Sequence, residues 1–166
     1  AVARALSVRE TVISPTFDAA VQRLLSANIT AAIAAGNYNK DACLISPAHI
    51  PQAITVAALD PPTDRRWGSS NFGQCVDIFA PGVSILSAWF SPLYPNYTRL
   101  WYAISGTSMA TPHVAGTAAL YLQLYPTATR AAVRNAIIAR ATNGTVKEID
   151  GTPMRTTPAS LLYSKV

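Results

Sequence analysis

Residues 106 to 116 read GTSMATPHVAG, a serine set between glycine, threonine and small apolar residues at what the pattern makes the first turn of a long buried helix. A serine hydroxyl is a weak nucleophile until a base takes its proton and donors stabilise the oxyanion it creates. The head of a helix supplies such donors, because its first N–H groups are unpaired and the helix dipole adds partial positive charge there. Ser108 therefore suits nucleophilic acyl chemistry, with Gly106 and Thr107 allowing close approach. The plain alternative is that Ser108 or Thr107 is a helix N-cap. Two residues after Ser108 stands Ala110, so the string is not the G-x-S-x-G elbow of α/β-hydrolases, which weighs against an esterase or lipase of another fold.

The elements that would hold this serine follow from apolar patterning. VARALSV at 2 to 8 can form a strand, Ser14-Pro15 offers an N-cap followed by an N1 proline, and Phe17 to Ala27 is amphipathic. Ile29 to Ala35 is apolar without alternation, as a parallel strand covered on both faces requires, so the chain opens β-α-β. ITVAALD at 54 to 60, VDIFAPG at 76 to 82 and ILSAW at 85 to 89 add short strands, with the turn-rich loop DPPTDRRWGSSNFG after the first of them. The proline and aromatic stretch Ser91 to Tyr102 reads as a surface connection, with a hairpin or lid as alternatives. Thr107 to about Tyr125 is the longest helix. Its small residues Ala110, Ala115, Gly116, Ala118 and Ala119 allow close backbone approach, Pro112 falls early, and Pro126 ends it. Thr129 to Ala141 forms a last helix, on which Arg130, Arg134 and Arg140 read as a solvated face.

The length of 166 residues and an apolar half give one α/β domain with a core. The net charge of +5 arises from 13 Lys and Arg against 8 Asp and Glu, with no dense basic block, which argues against a nucleic-acid partner. The longest apolar runs fall short of a membrane span. Two cysteines, Cys43 and Cys75, permit a disulfide. Sequons at Asn28, Asn96 and Asn143 point with them toward secretion.

The eleven-residue string resembles the serine signature of the subtilases, the subtilisin-like serine proteases. AAIAAGNYNKDACLISPAHIPQAITVAALD resembles the oxyanion segment of the proteinase-K-like branch, and SSNFGQCVDIFAPGVSILSAW a third block, so the likeness runs from about residue 2 to the last helix. It implies the C-terminal part of a three-layer α/β fold, with a mostly parallel sheet and a central buried helix starting at Ser108. It makes Ser108 the nucleophile and the Asn37 carboxamide an oxyanion donor, and places Ala35, Gly36, Gly106 and Thr107 at the substrate. It implies a Cys43–Cys75 bridge and a calcium site formed by Asp77 with the carbonyls of Pro51 and Ala53, although Asp77 as a simple turn cap stays open. No cofactor is implied for the chemistry, which is hydrolysis of protein or peptide substrates by a secreted endopeptidase.

That chemistry also needs a histidine base and an aspartate to orient it, and both family blocks lie upstream of where this chain begins. Residues 1–166 are thus expected to be a partial catalytic domain, inactive alone, with its missing N-terminal part as partner. His113 lies five residues along the helix and about 140° from Ser108, which makes it a packed, hydrogen-bonded helix histidine. His49 reads as an exposed loop residue, and Lys40 near Asn37 suggests a Ser-Lys dyad without other support. Leu6-Ser7-Val8-Arg9-Glu10 stands where the family has glycines. That departure favours a second reading, a non-catalytic pseudoprotease or peptide-binding module, which the intact serine signature disfavours.

Overall fold

The computed structural model describes residues 2–7, 12–90 and 100–163; Val8, Arg9, Glu10, the sequon at Asn96 and most of the Ser91 to Tyr102 stretch lie outside them. The chain opens with β1 (Ala3–Leu6), α1 (Pro15–Ser26), β2 (Thr30–Ala34) and β3 (Ile54–Asp60), then β4 (Arg65–Arg66) and β5 (Ile78–Pro81). It continues with β6 (Ile85–Trp89), β7 (Leu100–Ile104), α2 (Thr107–Leu124) and α3 (Arg130–Arg140). β1, β2, β3 and β5 are mutually parallel, with Ala3 opposite Thr30, Ala32 opposite Ile54 and Val56 opposite Ile78. Only the two-residue β4 runs antiparallel in this sheet, against the end of β3.

Every residue of β2 and all but the last of β3 are buried, as an unbroken apolar run predicts for strands covered on both faces. On one face, Ala32, Val56, Ala58 and Ala80 meet Ala110, Val114 and Ala118 of α2 and Val133 and Ile137 of α3. On the other, Ala31 and Ile33 meet Val21 and Leu25 of α1, while Ala57, Leu59 and Phe79 meet Ala42, Ala48, Val76 and Val146 from the loops. Helices on both faces of a parallel sheet make three layers. α2 crosses β1, β2, β3 and β5, and alanine on both sides of that contact lets helix and sheet lie close. Its outer face is exposed at Pro112, His113, Leu120 and Leu124. No described strand pairs with β1 on the side away from β2. No helix among the described residues is long and apolar enough to cross a membrane.

Several local expectations are corrected. Leu100–Ile104 pairs antiparallel with Ile85–Trp89, so the stretch read as a surface connection ends in the second strand of a ribbon. Tyr102 opposes Ser87 there and stacks on Trp89 at 5.4 Å, a cross-strand aromatic contact that favours pairing. Ser14 occupies the N-cap of α1 but makes no side-chain cap; its N–H donates instead to Ser46 Oγ at 2.7 Å. Thr129 does cap α3, its hydroxyl accepting from Ala132 N. The arginine stripe of α3 is not a solvated face. Arg130 Nε donates to Leu25 O at 2.8 Å and Arg134 Nε to Ala53 O at 2.9 Å, because both lie over the main-chain carbonyls at the ends of neighbouring elements; Arg140 alone of the three is exposed.

Cys43 and Cys75 form a disulfide across a separation of 32 residues, tying the segment after β2 to the one before β5. Loop-closure entropy puts its contribution at about 3 to 4 kcal/mol. Replacing both cysteines by alanine should therefore lower unfolding stability by about that amount, as read from denaturant midpoints at constant m-value.

Candidate active site

The carboxyl ends of parallel strands are where an α/β sheet offers a cleft. β2 ends at Ala34, and the chain turns sharply at Gly36, whose φ of +103° belongs to the left-handed region. A side chain there would also fail for lack of space, since a Cβ would lie 2.4 Å from Asn71 Nδ2. Immediately after this turn comes Asn37. Its Oδ1 accepts two hydrogen bonds from the head of α2, from Thr107 N at 2.9 Å and Thr107 Oγ1 at 2.8 Å. The Thr107 hydroxyl in turn accepts from Gly36 N at 3.3 Å. With Oδ1 held by Thr107, the amide Nδ2 is the free end of the side chain.

At the head of α2, Met109 N and Ala110 N both donate to Gly106 O, and Thr107 N is taken by Asn37. The Ser108 N–H is then the unpaired donor of the first turn among the described residues, as an α-helix requires of at least some of its first N–H groups. A methyl carbon placed on Gly106 would sit 3.6 Å from Asn37 Nδ2 and 3.7 Å from Ser108 N, so the two donors flank one point. Beside them lies a cavity of about 360 Å³ lined by Ser7, Ala34, Gly36, Asn37, Tyr38, Thr107 and Ser108. The structure thus brings Ser108 and Asn37 to the same cleft.

The other expected substrate-side residues divide. Gly36 and Thr107 line the cleft, Ala35 is fully buried behind it, and Gly106 is buried with its backbone between the two donors. Ser7, from the stretch that stands where the family has glycines, lines it too, and so do Ala34 and Tyr38, which were not singled out because an alanine at a strand end and a tyrosine in a polar turn carry no chemical signal. The largest omission is Asn71. It is fully buried, and its amide holds the backbone on both sides of Asn37. Its Ser-Ser-Asn-Phe-Gly setting signals only a turn.

Neither histidine reaches Ser108. His113 is exposed rather than packed, because it faces the open side of α2; its Nδ1 bonds Met109 O at 2.9 Å. His49 is half-buried rather than exposed and pairs through Nε2 with Asp18 Oδ2 at 2.9 Å, since α1 passes over its loop. Lys40 is exposed, and its backbone N–H donates to Asn71 Oδ1.

The residues expected to bind calcium are close together but already bonded. Asp77 Oδ2 accepts the Thr55 N–H at 2.9 Å, and Oδ1 is bonded by the Arg134 guanidinium. Arg134 Nε takes the Ala53 carbonyl at 2.9 Å, while Pro51 is exposed. Burial raises the Asp77 carboxyl above its ordinary pKa, against the opposing pull of the Thr55 N–H and Arg134. As arranged, with a guanidinium on the carboxylate and on one of the two carbonyls, this set does not fit a calcium ion. No cluster of three or more His, Cys, Asp or Glu among the described residues could hold a metal. Asn28 and Asn143 are both exposed, and their Oδ1 atoms accept from Arg130 N and Ser160 Oγ.

The profile of the subtilase family matches residues 6–152. Over 151 residues the chain is 49% identical to an extracellular serine proteinase of a Thermus strain, an alignment that takes in 91% of this chain and 34% of that protein. It is 44% identical over 151 residues to alkaline serine exoprotease A of Vibrio alginolyticus, covering 91% of this chain and 26% of the relative. The crystal structure of a cold-adapted subtilisin-like serine proteinase superposes with a TM-score of 0.82 at 40% identity, over 98% of this chain and 55% of the other. The chain therefore spans about a third of the first of these curated relatives and about a quarter of the second. A profile match over most of the sequence, together with a relative 49% identical over 91% of the chain and a superposition on a subtilisin-like structure, shows that this chain belongs to the subtilase family.

Proposed function

We propose that this chain supplies the nucleophile and the oxyanion donors of a secreted serine endopeptidase. The observation that carries the proposal is that Asn37 Nδ2 and the Ser108 N–H flank one point beside a cleft that both residues line. In this reading Ser108 Oγ attacks the carbonyl carbon of a peptide bond while its proton passes to a histidine contributed by another part of the domain. The carbonyl oxygen, now an oxyanion, receives hydrogen bonds from Asn37 Nδ2 and Ser108 N. The amine leaves with a proton, an acyl-enzyme remains on Ser108, and water releases the acid. No cofactor enters these steps.

The part that brings the histidine and its aspartate is taken to cover surfaces left open here. The edge of β1, unpaired among the described residues, and the exposed Leu120 and Leu124 on α2 support this, since such surfaces are normally covered. Secretion is inferred from the disulfide and from a relative named as extracellular. A non-catalytic peptide binder would use the cleft but would not require a serine hydroxyl beside two aligned donors. In the same reading Arg134, rather than a calcium ion, is the cation at Asp77.

In the natural full-length protein, a fluorophosphonate probe should label Ser108, as located by peptide mapping; labelling of another residue, or none, would sink the proposal. Ser108→Ala should lower kcat by about six orders of magnitude and Asn37→Ala by about 100- to 1000-fold with little change in KM. Both figures are those of subtilisin, a member of the same family. Arg134→Ala should cost about 1 to 3 kcal/mol, because it strands a partly buried carboxylate, and should make Tm rise on addition of millimolar calcium. Adding Asp77→Asn to that variant should abolish the response. A calcium response of the natural protein that Asp77→Asn removes would instead identify the ion as the resident cation.

A further inference from the structure

The amide nitrogen of Asn37 can stabilise an oxyanion only if the six-residue turn that carries it is held still, and the backbone there is not in regular structure. Asn39 N donates to Ser69 O and Lys40 O accepts from Phe72 N, but most of the ties run to one residue. Asn71 is fully buried, 0% exposed, and its Nδ2 donates to Ala35 O at 2.7 Å. Its Oδ1 accepts both Tyr38 N and Lys40 N, each at 3.0 Å, and its own backbone N–H donates to Gly36 O at 2.9 Å. Residues 35, 36, 38 and 40 are therefore all tied to a single residue, and Asn37, between them, is left to bond Thr107.

We infer that Asn71 is a positioning residue for the oxyanion donor, acting on catalysis through the placement of the Asn37 carboxamide. The inference rests on the proposed role of Asn37. The chemistry demands an amide, since the site presents two N–H donors on one side and a carbonyl acceptor on the other. A carboxylate would set an oxygen against Ala35 O, and an alanine would take their partner from the buried Ala35 O and from the N–H groups of Tyr38 and Lys40. Gly36 is the complement of the same device: only a residue without a Cβ leaves room for Asn71 Nδ2 2.4 Å from where that atom would lie. Asn71 touches no reacting atom. It lies outside the cleft lining, so its effect on rate must travel through the turn.

Misplacing a catalytic group by about 1 Å costs up to about 100-fold in rate, and the loss through Asn71 cannot exceed what Asn37 itself contributes. The test is a double-mutant cycle in the natural full-length protein, with kcat and KM measured on a peptide p-nitroanilide and each value normalised to the folded fraction by circular dichroism. Asn71→Ala is expected to lower kcat by about 10- to 100-fold with KM nearly unchanged. In the Asn37→Ala background the same change should have almost no further effect on kcat. If Asn71→Ala does not fold, Asn71→Asp, which keeps both accepted bonds, takes its place with the same criterion. Losses that multiply across the two sites, or a kcat unaffected by the Asn71 change, would show a purely structural role and overturn the inference while leaving Asn37 in place. An Asn37→Ala variant with undiminished kcat would overturn the catalytic reading and this inference together.

Discussion

The cleft depends on one junction, in which the carboxamide oxygen of Asn37 accepts both the N–H and the hydroxyl of Thr107. The two residues are 70 positions apart in the chain. Their contact fastens the turn after β2 to the head of α2. A single interaction thereby sets two things at once: which way the amide nitrogen faces, and which N–H of the helix is left without a partner. Were Asn37 to turn its amide over, the Thr107 N–H would face an NH2 group and lose its acceptor. The orientation is thus decided by hydrogen-bond complementarity, and the unpaired N–H at Ser108 by the geometry of a helix terminus.

That junction requires α2 to lie close against the sheet, and the core is built for it. Alanines at 32, 58 and 80 on the strands meet Ala110 and Ala118 on the helix. Gly82 continues the theme beyond β5: a Cβ there would lie 2.4 Å from Ala58 Cβ and 3.0 Å from Gly106 O, and Gly106 N donates to Gly82 O at 2.7 Å. The residue that precedes Thr107 is therefore hydrogen-bonded to the chain leaving the sheet. Small side chains bury little apolar area each, so an alanine-rich interface gains closeness at the expense of hydrophobic stabilisation per residue. Cross-links elsewhere offset this, the Cys43–Cys75 bridge among them.

Features that depend on local pattern were legible in the sequence. The unbroken apolar runs of β2 and β3, the early Pro112 and terminal Pro126 around α2, and the start of α3 at Thr129 all follow from residues within a turn or two of the element they define. The serine and asparagine of the cleft were legible for a different reason, because the strings that contain them resemble a family. What could not be read were groups whose partners lie far away. Asn71 reaches residues 31 to 36 positions back, and Arg134 reaches Asp77 across 57. Nothing beside Asn71 distinguishes a turn former from a buried clamp, and helical spacing alone cannot tell a solvated arginine from one laid across a neighbour's carbonyls. The ribbon of β6 and β7 was obscured by the prolines between its strands.

The arginines also change what the net charge means. Arg66 is 6% exposed, lies 5.0 Å over the Phe72 ring, pairs with Glu148, and donates to both Asn39 Oδ1 and Ser70 O. Ser70 and Phe72 flank Asn71, and Asn39 belongs to the turn that Asn71 clamps, so this guanidinium braces the clamp from behind. Arg130 joins α3 to the ends of α1 and of the loop before β3 through Leu25 O and Gln52 O, and Arg134 joins it to Asp77 and Ala53 O. A planar fork of donors suits this task, since one side chain can collect several carbonyls that have left regular structure. Part of the excess of basic residues therefore serves as internal fastening at loop ends, and the net charge of +5 cannot be taken as a field presented to an anionic partner.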